Sequence, residues 1–144
     1  IYFVIAIGNN GIRKIISQKF NVNWATLIHP SAQIASNVSV GKGTVVMAGA
    51  VINPGTTIGD ACIINTCSSV DHDNNIGDFS HISVGAHTAG TVTLGERCWL
   101  GIGAVVSNNI SVADDCMIGA GAVVVKDVPD NTTVVGVPAR ELIR

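Results

Sequence analysis

An aliphatic residue recurs at every sixth position along most of this chain. In the series from Ile28 to Val124, sixteen of the seventeen positions carry Ile, Val or Leu without one insertion, and the exception is Thr88. A period of six fits neither the 3.6-residue period of a helix nor the two-residue alternation of a hairpin sheet. Three hexads make one triangular coil of 18 residues, so the series predicts five to six stacked coils of a parallel β-helix.

The other positions of each hexad support the same interpretation. Four residues after each aliphatic position lies a second inward candidate, which is mostly small or aliphatic, as at Ala50, Cys62 and Ser68. Gly, Asn or Asp often follows the aliphatic residue directly, which is typical of a tight turn between short strands. Because only 4% of the residues are aromatic, small and aliphatic side chains have to fill the interior.

Charge and hydropathy argue against several classes of function. The formal net charge is −2 and the lysines and arginines are scattered, so nucleic acid is not an expected partner. The apolar start IYFVIAIG is far shorter than the ~20 residues of a membrane-spanning helix and has no basic leader or cleavage site. We therefore expect no membrane span and a cytoplasmic location.

Cysteine and histidine spacing argues against disulfides and metal ions. No cysteines have C-x-x-C spacing, and Cys62, Cys98 and Cys116 are separated by multiples of 18, so we expect them to stack inside the coils as small core fillers. No two of the four histidines are separated by a multiple of 18, whereas a zinc site of carbonic anhydrase type needs three that converge. The sequence predicts no metal site.

Three of the four histidines lie in the segment VDHDNNIGDFSHISVGAHTAG, residues 70–90. In the hexad register, the tripeptide DHD at 71–73 forms a corner turn, whereas His81 lies on a strand with its side chain pointing outward. His72 and His81 are nine residues apart, which is half a coil, so within one chain they lie on opposite sides. They can share a site only across a subunit boundary.

These motifs give the chain a resemblance to a known family. The hexads, the segment DHDNNIGDFSHISVGAHTAGTVTLGE and the later IGAGAVVVKDVPDN and GVPAR make it similar to the left-handed β-helix acyltransferases of the sialic acid O-acetyltransferase and bacillosamine-type UDP-amino-sugar N-acetyltransferase family. The resemblance implies an all-β fold, with a left-handed parallel β-helix of hexapeptide repeats over residues 25–135 and a C-terminal tail over 136–144. It also implies that residues 1–24 are the last strand and helix of a truncated Rossmann-like α/β domain that binds the nucleotide sugar.

The resemblance also implies an activity. The expected enzyme is a metal-independent, acetyl-CoA-dependent acetyltransferase that acts on the amino group of a UDP-linked amino-deoxy sugar in bacterial surface glycan or glycoprotein biosynthesis. It implies a homotrimer with acetyl-CoA bound between neighbouring β-helices. Two alternatives remain open, namely O-acetylation of sialic acid or serine type and a non-catalytic trimeric scaffold.

Catalytic roles are assigned by the resemblance to His72 and Asp73. His72 is the expected general base, since an imidazole with an ordinary pKa of ~6.5 suits removal of an ammonium proton when a carboxylate stabilises the imidazolium. Asp73 is its expected acidic partner. The family often has Glu at this position, so the shorter Asp leaves open whether Asp73 or Asp71 contacts the imidazole. A simple solvated turn is the alternative interpretation of this tripeptide.

Acetyl-CoA contacts are assigned by the resemblance to His81, Ile102 and Ala120. His81 matches the position that contacts the acetyl end, although an outward histidine also suits a trimer interface. Ile102 and Ala120 share one corner 18 residues apart, where a pantetheine arm can follow the backbone. Family members commonly have Gly where this chain has Ala120.

Gly90 lies 18 residues after His72, in the same corner one coil further along. Its backbone N–H is expected to stabilise the oxyanion, and the missing side chain is expected to leave room for the acetyl group, although a plain turn glycine fits equally well. Asn65 and Asp71 are expected on the substrate side, with a structural turn residue as the alternative for Asn65. Asn74 favours a functional site, because a scaffold would prefer a small apolar residue at this inward position.

Overall fold

The computed structural model describes residues 1–143. One helix, α1 (Asn10–Lys19), precedes nineteen short strands. In chain order the strands are β1 (Leu27–Ile28), β2 (Gln33–Ile34), β3 (Ser39–Val40), β4 (Val45–Val46), β5 (Val51–Ile52), β6 (Thr57–Ile58), β7 (Ile63–Ile64), β8 (Ser69–Val70), β9 (Asn75–Ile76), β10 (His81–Ile82), β11 (His87–Thr88), β12 (Thr93–Leu94), β13 (Trp99–Leu100), β14 (Val105–Val106), β15 (Ser111–Val112), β16 (Met117–Ile118), β17 (Val123–Val124), β18 (Thr133–Val135) and β19 (Arg140–Glu141). Strands β1 to β17 start six residues apart, as the hexads predict.

The strands form three sheets around a common interior. The first sheet has the order β1-β4-β7-β10-β13-β16-β18-β19, the second β2-β5-β8-β11-β14-β17, and the third β3-β6-β9-β12-β15. In every pairing among β1 to β17 the two partner residues are 18 positions apart, as His81 and Trp99 are, whereas β16 pairs with β18 in a shorter register, Met117 with Thr133. The chain visits the three sheets in turn and builds a parallel β-solenoid of about six coils, which confirms the predicted β-helical architecture.

The last strand departs from this pattern. β19 pairs antiparallel with β18, so the chain turns back at the end of the first sheet. The coils therefore run from β1 to β18, within the predicted range 25–135, and β19 lies in the predicted tail.

The aliphatic residue of each hexad fills the interior. Ile64, Ile82 and Leu100 stack in consecutive coils of the first sheet, and each is fully buried. Burial of one such side chain contributes about 1.5–3 kcal/mol. In the first coil Ile28 is 49% exposed, because that coil has a neighbour on only one side. The middle coils therefore form the best-packed part of the protein, and they carry the histidine-rich segment.

The second inward residue of many hexads links neighbouring coils by hydrogen bonds. Thr44, Thr56 and Ser80 each donate a hydroxyl to the carbonyl oxygen 15 residues later and accept from the backbone N–H 18 residues later. The stacked thiols also donate to carbonyl oxygens of the next coil, at 3.2 Å from Cys62, 2.9 Å from Cys98 and 3.0 Å from Cys116. The predicted cysteine column is confirmed, but the thiols also satisfy buried backbone acceptors.

The N-terminal segment contains the expected helix but no regular strand. Asn9 caps α1, because its side-chain oxygen accepts the backbone N–H of Ile12 at 3.0 Å. Before the helix, the expected strand is an extended segment with one isolated bridge between Phe3 and Trp24. Within residues 1–143 no further strand lies beside this segment to continue the pairing.

A buried arginine attaches α1 to the coils. Arg13 is 1% exposed, and its Nε donates to the carbonyl oxygen of Ala61 at 3.0 Å. Its Nη2 donates to the carbonyl oxygen of Phe79 at 2.6 Å and to Asn10 Oδ1 at 2.8 Å, and its Nη1 donates to the carbonyl oxygen of Gly8 at 2.8 Å. One guanidinium thus joins the N-terminal segment, the helix and two consecutive coils at the corner between the third and first sheets.

Substitution of Arg13 by Ala is expected to lower the free energy of unfolding by about 3 kcal/mol, since several backbone carbonyl groups lose a charged donor. Lys14→Ala is the matched control, because Lys14 is the next residue of α1 and its salt bridge to Glu96, at 2.7 Å, is partly exposed. Loss of that pair should cost at most ~1 kcal/mol. Urea unfolding followed by circular dichroism measures both variants. Equal effects of the two substitutions would contradict the anchoring role of Arg13.

Candidate functional site

His72 and Asp73 form a hydrogen-bonded pair at the corner between the second and third sheets. They lie in the turn between β8 and β9, and His72 Nδ1 is 2.8 Å from Asp73 Oδ2. The side chain of His72 is 56% exposed. Asp73 has a φ of +56°, a backbone conformation that Asp and Asn adopt more readily than most residues. The corner thus presents a carboxylate-bound imidazole to the surface.

The hydrogen bond to Asp73 raises the pKa of His72, because the carboxylate stabilises the imidazolium, and the negative charge of Asp71 acts in the same direction. Since Nδ1 is bound to Asp73, Nε2 is the ring nitrogen that can exchange a proton with another molecule. The arrangement has the chemistry of an oriented general base.

The carboxylate of Asp71 makes different contacts. Its Oδ1 accepts from Asn53 Nδ2 at 2.7 Å and from the backbone N–H of His72 at 2.8 Å. These hydrogen bonds, with that of Asn53 the stronger influence, lower the pKa of Asp71. Of the two candidate partners, Asp73 is therefore the one that contacts the imidazole, and Asp71 caps the turn. A contact between Asp71 and substrate stays a prediction.

Gly90 lies directly against the imidazole of His72. A Cβ atom on Gly90 would come within 2.6 Å of His72 Cε1 and would also overlap Nε2. The φ of Gly90 lies outside the left-handed region, so a side chain here would be opposed by this close approach and not by the backbone conformation, and the imidazole would have to move to admit it. The missing side chain makes room for the imidazole of His72, and an acetyl group beside Gly90 stays a prediction.

His81 lies in β10 of the first sheet, on the side of the coil opposite the His72 corner, as the half-coil spacing predicts. Its side chain points out of the coil but is buried, with 7% of the residue exposed. Trp99, its neighbour in the next coil, stacks on the imidazole with ring centroids 5.3 Å apart. Asn65 Nδ2 lies 3.0 Å from His81 Nε2. Asn65 therefore accompanies His81, on the opposite side of the chain from His72.

Burial, together with the positive charge of Arg13, lowers the pKa of His81 to about 4. The imidazole is therefore neutral near pH 7. The side-chain oxygen of Asn65 accepts the backbone N–H of Thr66, so its amide nitrogen donates to His81 Nε2 and the ring proton lies on Nδ1. This buried nitrogen has no hydrogen-bond partner within residues 1–143. His81 is thus a neutral, buried imidazole and not a second base.

Ile102 and Ala120 line one shallow apolar groove together with Ser83, Trp99 and Met117. Ile102 is 59% exposed, and the indole N–H of Trp99 donates to Ser83 Oγ at 2.7 Å. The predicted pair of groove residues is therefore brought together at the corner between the first and second sheets. Sequence reasoning missed Trp99 and Met117, although both follow His81 at 18-residue intervals on the outer face of the first sheet.

The other two histidines lie away from both groups. His29 Nδ1 is 2.9 Å from Ser31 Oγ in the first coil, and His87 Nδ1 is 2.8 Å from Ser69 Oγ on the outer face of the second sheet. Over residues 1–143, no group of three or more His, Cys, Asp or Glu side chains is arranged to hold a metal ion. The single helix of this part of the chain is too short and too polar to cross a membrane.

Substitution of Asp73 by Asn is expected to lower the pKa of His72, because a neutral amide does not stabilise the imidazolium. Asn has the same shape as Asp and tolerates the positive φ of this position. Asp71→Asn is the matched control and should lower the pKa less, since Asp71 does not contact the ring. An NMR titration of the His72 ring protons measures both shifts. A fall in Asp71→Asn as large as in Asp73→Asn would contradict the assigned pairing.

Several solved structures match nearly the whole chain, among them three from different bacteria. The acetyltransferase domain of PglB from Neisseria gonorrhoeae FA1090 is 41% identical, with a TM-score of 0.94, over 96% of this chain and 69% of that one. PerB from Caulobacter crescentus, solved with CoA and GDP-perosamine, is 40% identical, with a TM-score of 0.96, over 98% of this chain and 70% of that one. WeeI from Acinetobacter baumannii AYE is 31% identical, with a TM-score of 0.93, over 98% of this chain and 70% of that one.

A family model also matches part of the chain. Residues 91–126 match the bacterial transferase hexapeptide model of six repeats. Comparison with curated protein sequences gives no match. The resemblance read from the hexads and the histidine-rich segment is confirmed, and the chain belongs to the hexapeptide-repeat acyltransferases, in the family of sugar N-acetyltransferases that includes PglB and PerB.

Proposed function

We propose that this enzyme transfers the acetyl group of acetyl-CoA to the amino group of a nucleotide-linked amino-deoxy sugar used in bacterial glycan or glycoprotein biosynthesis. The observation that carries the proposal is the His72 imidazole, held by Asp73 at Nδ1 and packed on Gly90. The complex of PerB with CoA and GDP-perosamine supports both classes of substrate. The family resemblance favours a UDP sugar and the PerB complex a GDP sugar, so the test below includes both.

The reaction follows from the position of the two ring nitrogens. His72 Nε2 takes a proton from the sugar nitrogen as that nitrogen attacks the thioester carbonyl carbon and forms the C–N bond. Asp73 stabilises the resulting imidazolium. The C–S bond then breaks, and the proton held by His72 passes to the leaving CoA thiolate. The backbone N–H of Gly90 makes no hydrogen bond within residues 1–143, and it supplies the proposed oxyanion donor.

Acetyl-CoA is proposed to lie along the groove of Ile102 and Ala120. The apolar wall of Trp99 and Met117 suits the pantetheine arm, and the acetyl end is proposed to lie toward His81. This groove and the His72 corner lie on opposite sides of one chain. The proposed site therefore joins the groove of one subunit to the His72 corner of its neighbour in a homotrimer.

The substrate side of the proposal involves residues 1–24. We propose that they end a Rossmann-like unit that binds the nucleotide sugar, in front of a β-helix of left-handed sense. Asp71 contacts the sugar in this proposal. Asn65 acts from the neighbouring subunit, where it holds His81. A cytoplasmic location agrees with the use of acetyl-CoA.

Substitution of His72 by Ala is expected to lower kcat by about 10²- to 10⁴-fold, the usual contribution of a general base. The KM for acetyl-CoA should change little. The assay measures CoA release with a panel of UDP- and GDP-linked amino sugars and with the corresponding hydroxyl sugars. His29→Ala is the matched control, since His29 is exposed and lies outside the site. Full activity of the His72 variant would refute the proposed mechanism.

In the wild type, kcat/KM should rise with pH as His72 loses its proton. The inflection should lie above ~6.5, the ordinary pKa of a histidine, because Asp73 raises the pKa of His72.

Substitution of Gly90 by Ala is expected to lower kcat by about 10²-fold, because the new Cβ displaces the imidazole from its position. Gly11→Ala is the matched control, since a Cβ there makes an ordinary contact of 3.5 Å with Asn9 Oδ1 and its φ lies outside the left-handed region. Steady-state kinetics measures both variants. An unchanged kcat in Gly90→Ala would contradict the importance of the contact with His72.

A further inference from the structure

An asparagine lies inside the coil directly beneath the turn that carries His72. Asn74 is 2% exposed and occupies the second inward position of its hexad. The equivalent residues one coil before and after it are Thr56 and Val92. Asn74 is therefore the most polar side chain in this inward column, and it lies at the coil that carries the proposed general base.

The side-chain amide nitrogen of Asn74 lies within hydrogen-bond distance of three backbone carbonyl oxygens, so one of its two N–H groups is shared between two of them. Two belong to the turn itself, Asp71 at 2.9 Å and His72 at 3.1 Å. The third belongs to Ala89 at 2.8 Å, immediately before Gly90 in the next coil. One buried amide thus ties the backbone of His72 to the backbone that precedes Gly90.

Thr56 occupies the same inward position one coil earlier, directly after a turn at 53–55 that carries no histidine. Its hydroxyl donates to the carbonyl oxygen of Asp71 at 2.7 Å, and it accepts the backbone N–H of Asn74 at 3.2 Å. A hydroxyl has one proton and can hold only one carbonyl group, whereas a primary amide has two N–H bonds. One hydroxyl is enough to link two coils. Asn74 adds to that link its hydrogen bonds to the carbonyl groups of its own turn.

The buried amide is also incompletely satisfied. Asn74 Oδ1 is buried and has no hydrogen-bond partner within residues 1–143. An unpaired buried acceptor lowers stability, which Thr or Val in this place would avoid. A local violation of this kind is expected at a functional site rather than in a scaffold.

We propose that Asn74 is a positioning residue for the transfer reaction. It fixes the backbone of the His72 turn relative to the next coil, so that the imidazole stays on Gly90 with Nε2 facing the substrate. The inference rests on the proposed function, because it acts through His72 as general base. It adds a buried residue that touches neither substrate.

Two substitutions separate positioning from stability. Asn74→Thr keeps one donor for the carbonyl oxygen of Ala89, by analogy with Thr56, and loses the bonds to the turn. Its melting temperature should stay close to the wild-type value, whereas kcat should fall by about 10- to 100-fold, as for a misplaced catalytic group. The KM for acetyl-CoA should not change. Asn74→Ala should lose both kcat and melting temperature.

The matched control is Thr44→Ala, which removes the same kind of link between coils at a corner away from His72. It should lower the melting temperature and leave kcat unchanged. A wild-type kcat in Asn74→Thr, or a loss of kcat in Thr44→Ala as large as in Asn74→Thr, would overturn the positioning role. An inactive His72→Ala beside a fully active Asn74→Thr refutes this inference alone, whereas a fully active His72→Ala refutes the proposed function itself.

Discussion

The structure depends on one register, in which strand residues from β1 to β17 pair with residues 18 positions away in the neighbouring coil. Side chains alternate between the two faces of a strand, so a slip of one residue would turn every aliphatic side chain outward. That constraint explains why seventeen hexads run without an insertion. The same register brings Gly90 beside His72 and Trp99 beside His81. Residues that lie side by side in neighbouring coils can therefore be identified by adding 18 to a residue number.

Hydrogen bonds between coils turn this register into a rigid support. Inward Thr, Ser and Cys side chains bond the next coil at the corners, where the strands leave buried carbonyl groups. Arg13 extends the support to α1, since its guanidinium binds backbone carbonyl oxygens of two coils. Its charge also helps to lower the pKa of His81. The N-terminal helix therefore influences the protonation of a residue on the first sheet as well as the stability of the coils.

Much of the architecture could be predicted from spacing alone, because the period of six fixes strand, turn and direction together. The corner position of His72 and the outward direction of His81 follow from it. Side-chain contacts on the outer surface of the coils could not be predicted in this way. The outward direction of a side chain does not show which neighbour covers it, so the burial of His81 under Trp99 was not predicted. The choice of Asp73 over Asp71 depends on side-chain geometry within one turn, which spacing does not contain.

His72 and His81 have opposite properties although both arise from the same repeat. At the corner, His72 is solvated and bound to a carboxylate, so its pKa is raised and it can take up a proton. On the flat face, His81 is buried beside an aromatic ring and near the charge of Arg13, so its pKa is lowered and it stays neutral. His72 stays exposed at its corner, whereas Trp99 of the next coil covers His81 on the face of the first sheet. The same repeat thus gives a solvated imidazole that can take up a proton at a corner and a neutral imidazole on a face, and half a coil places the two on opposite sides of the chain.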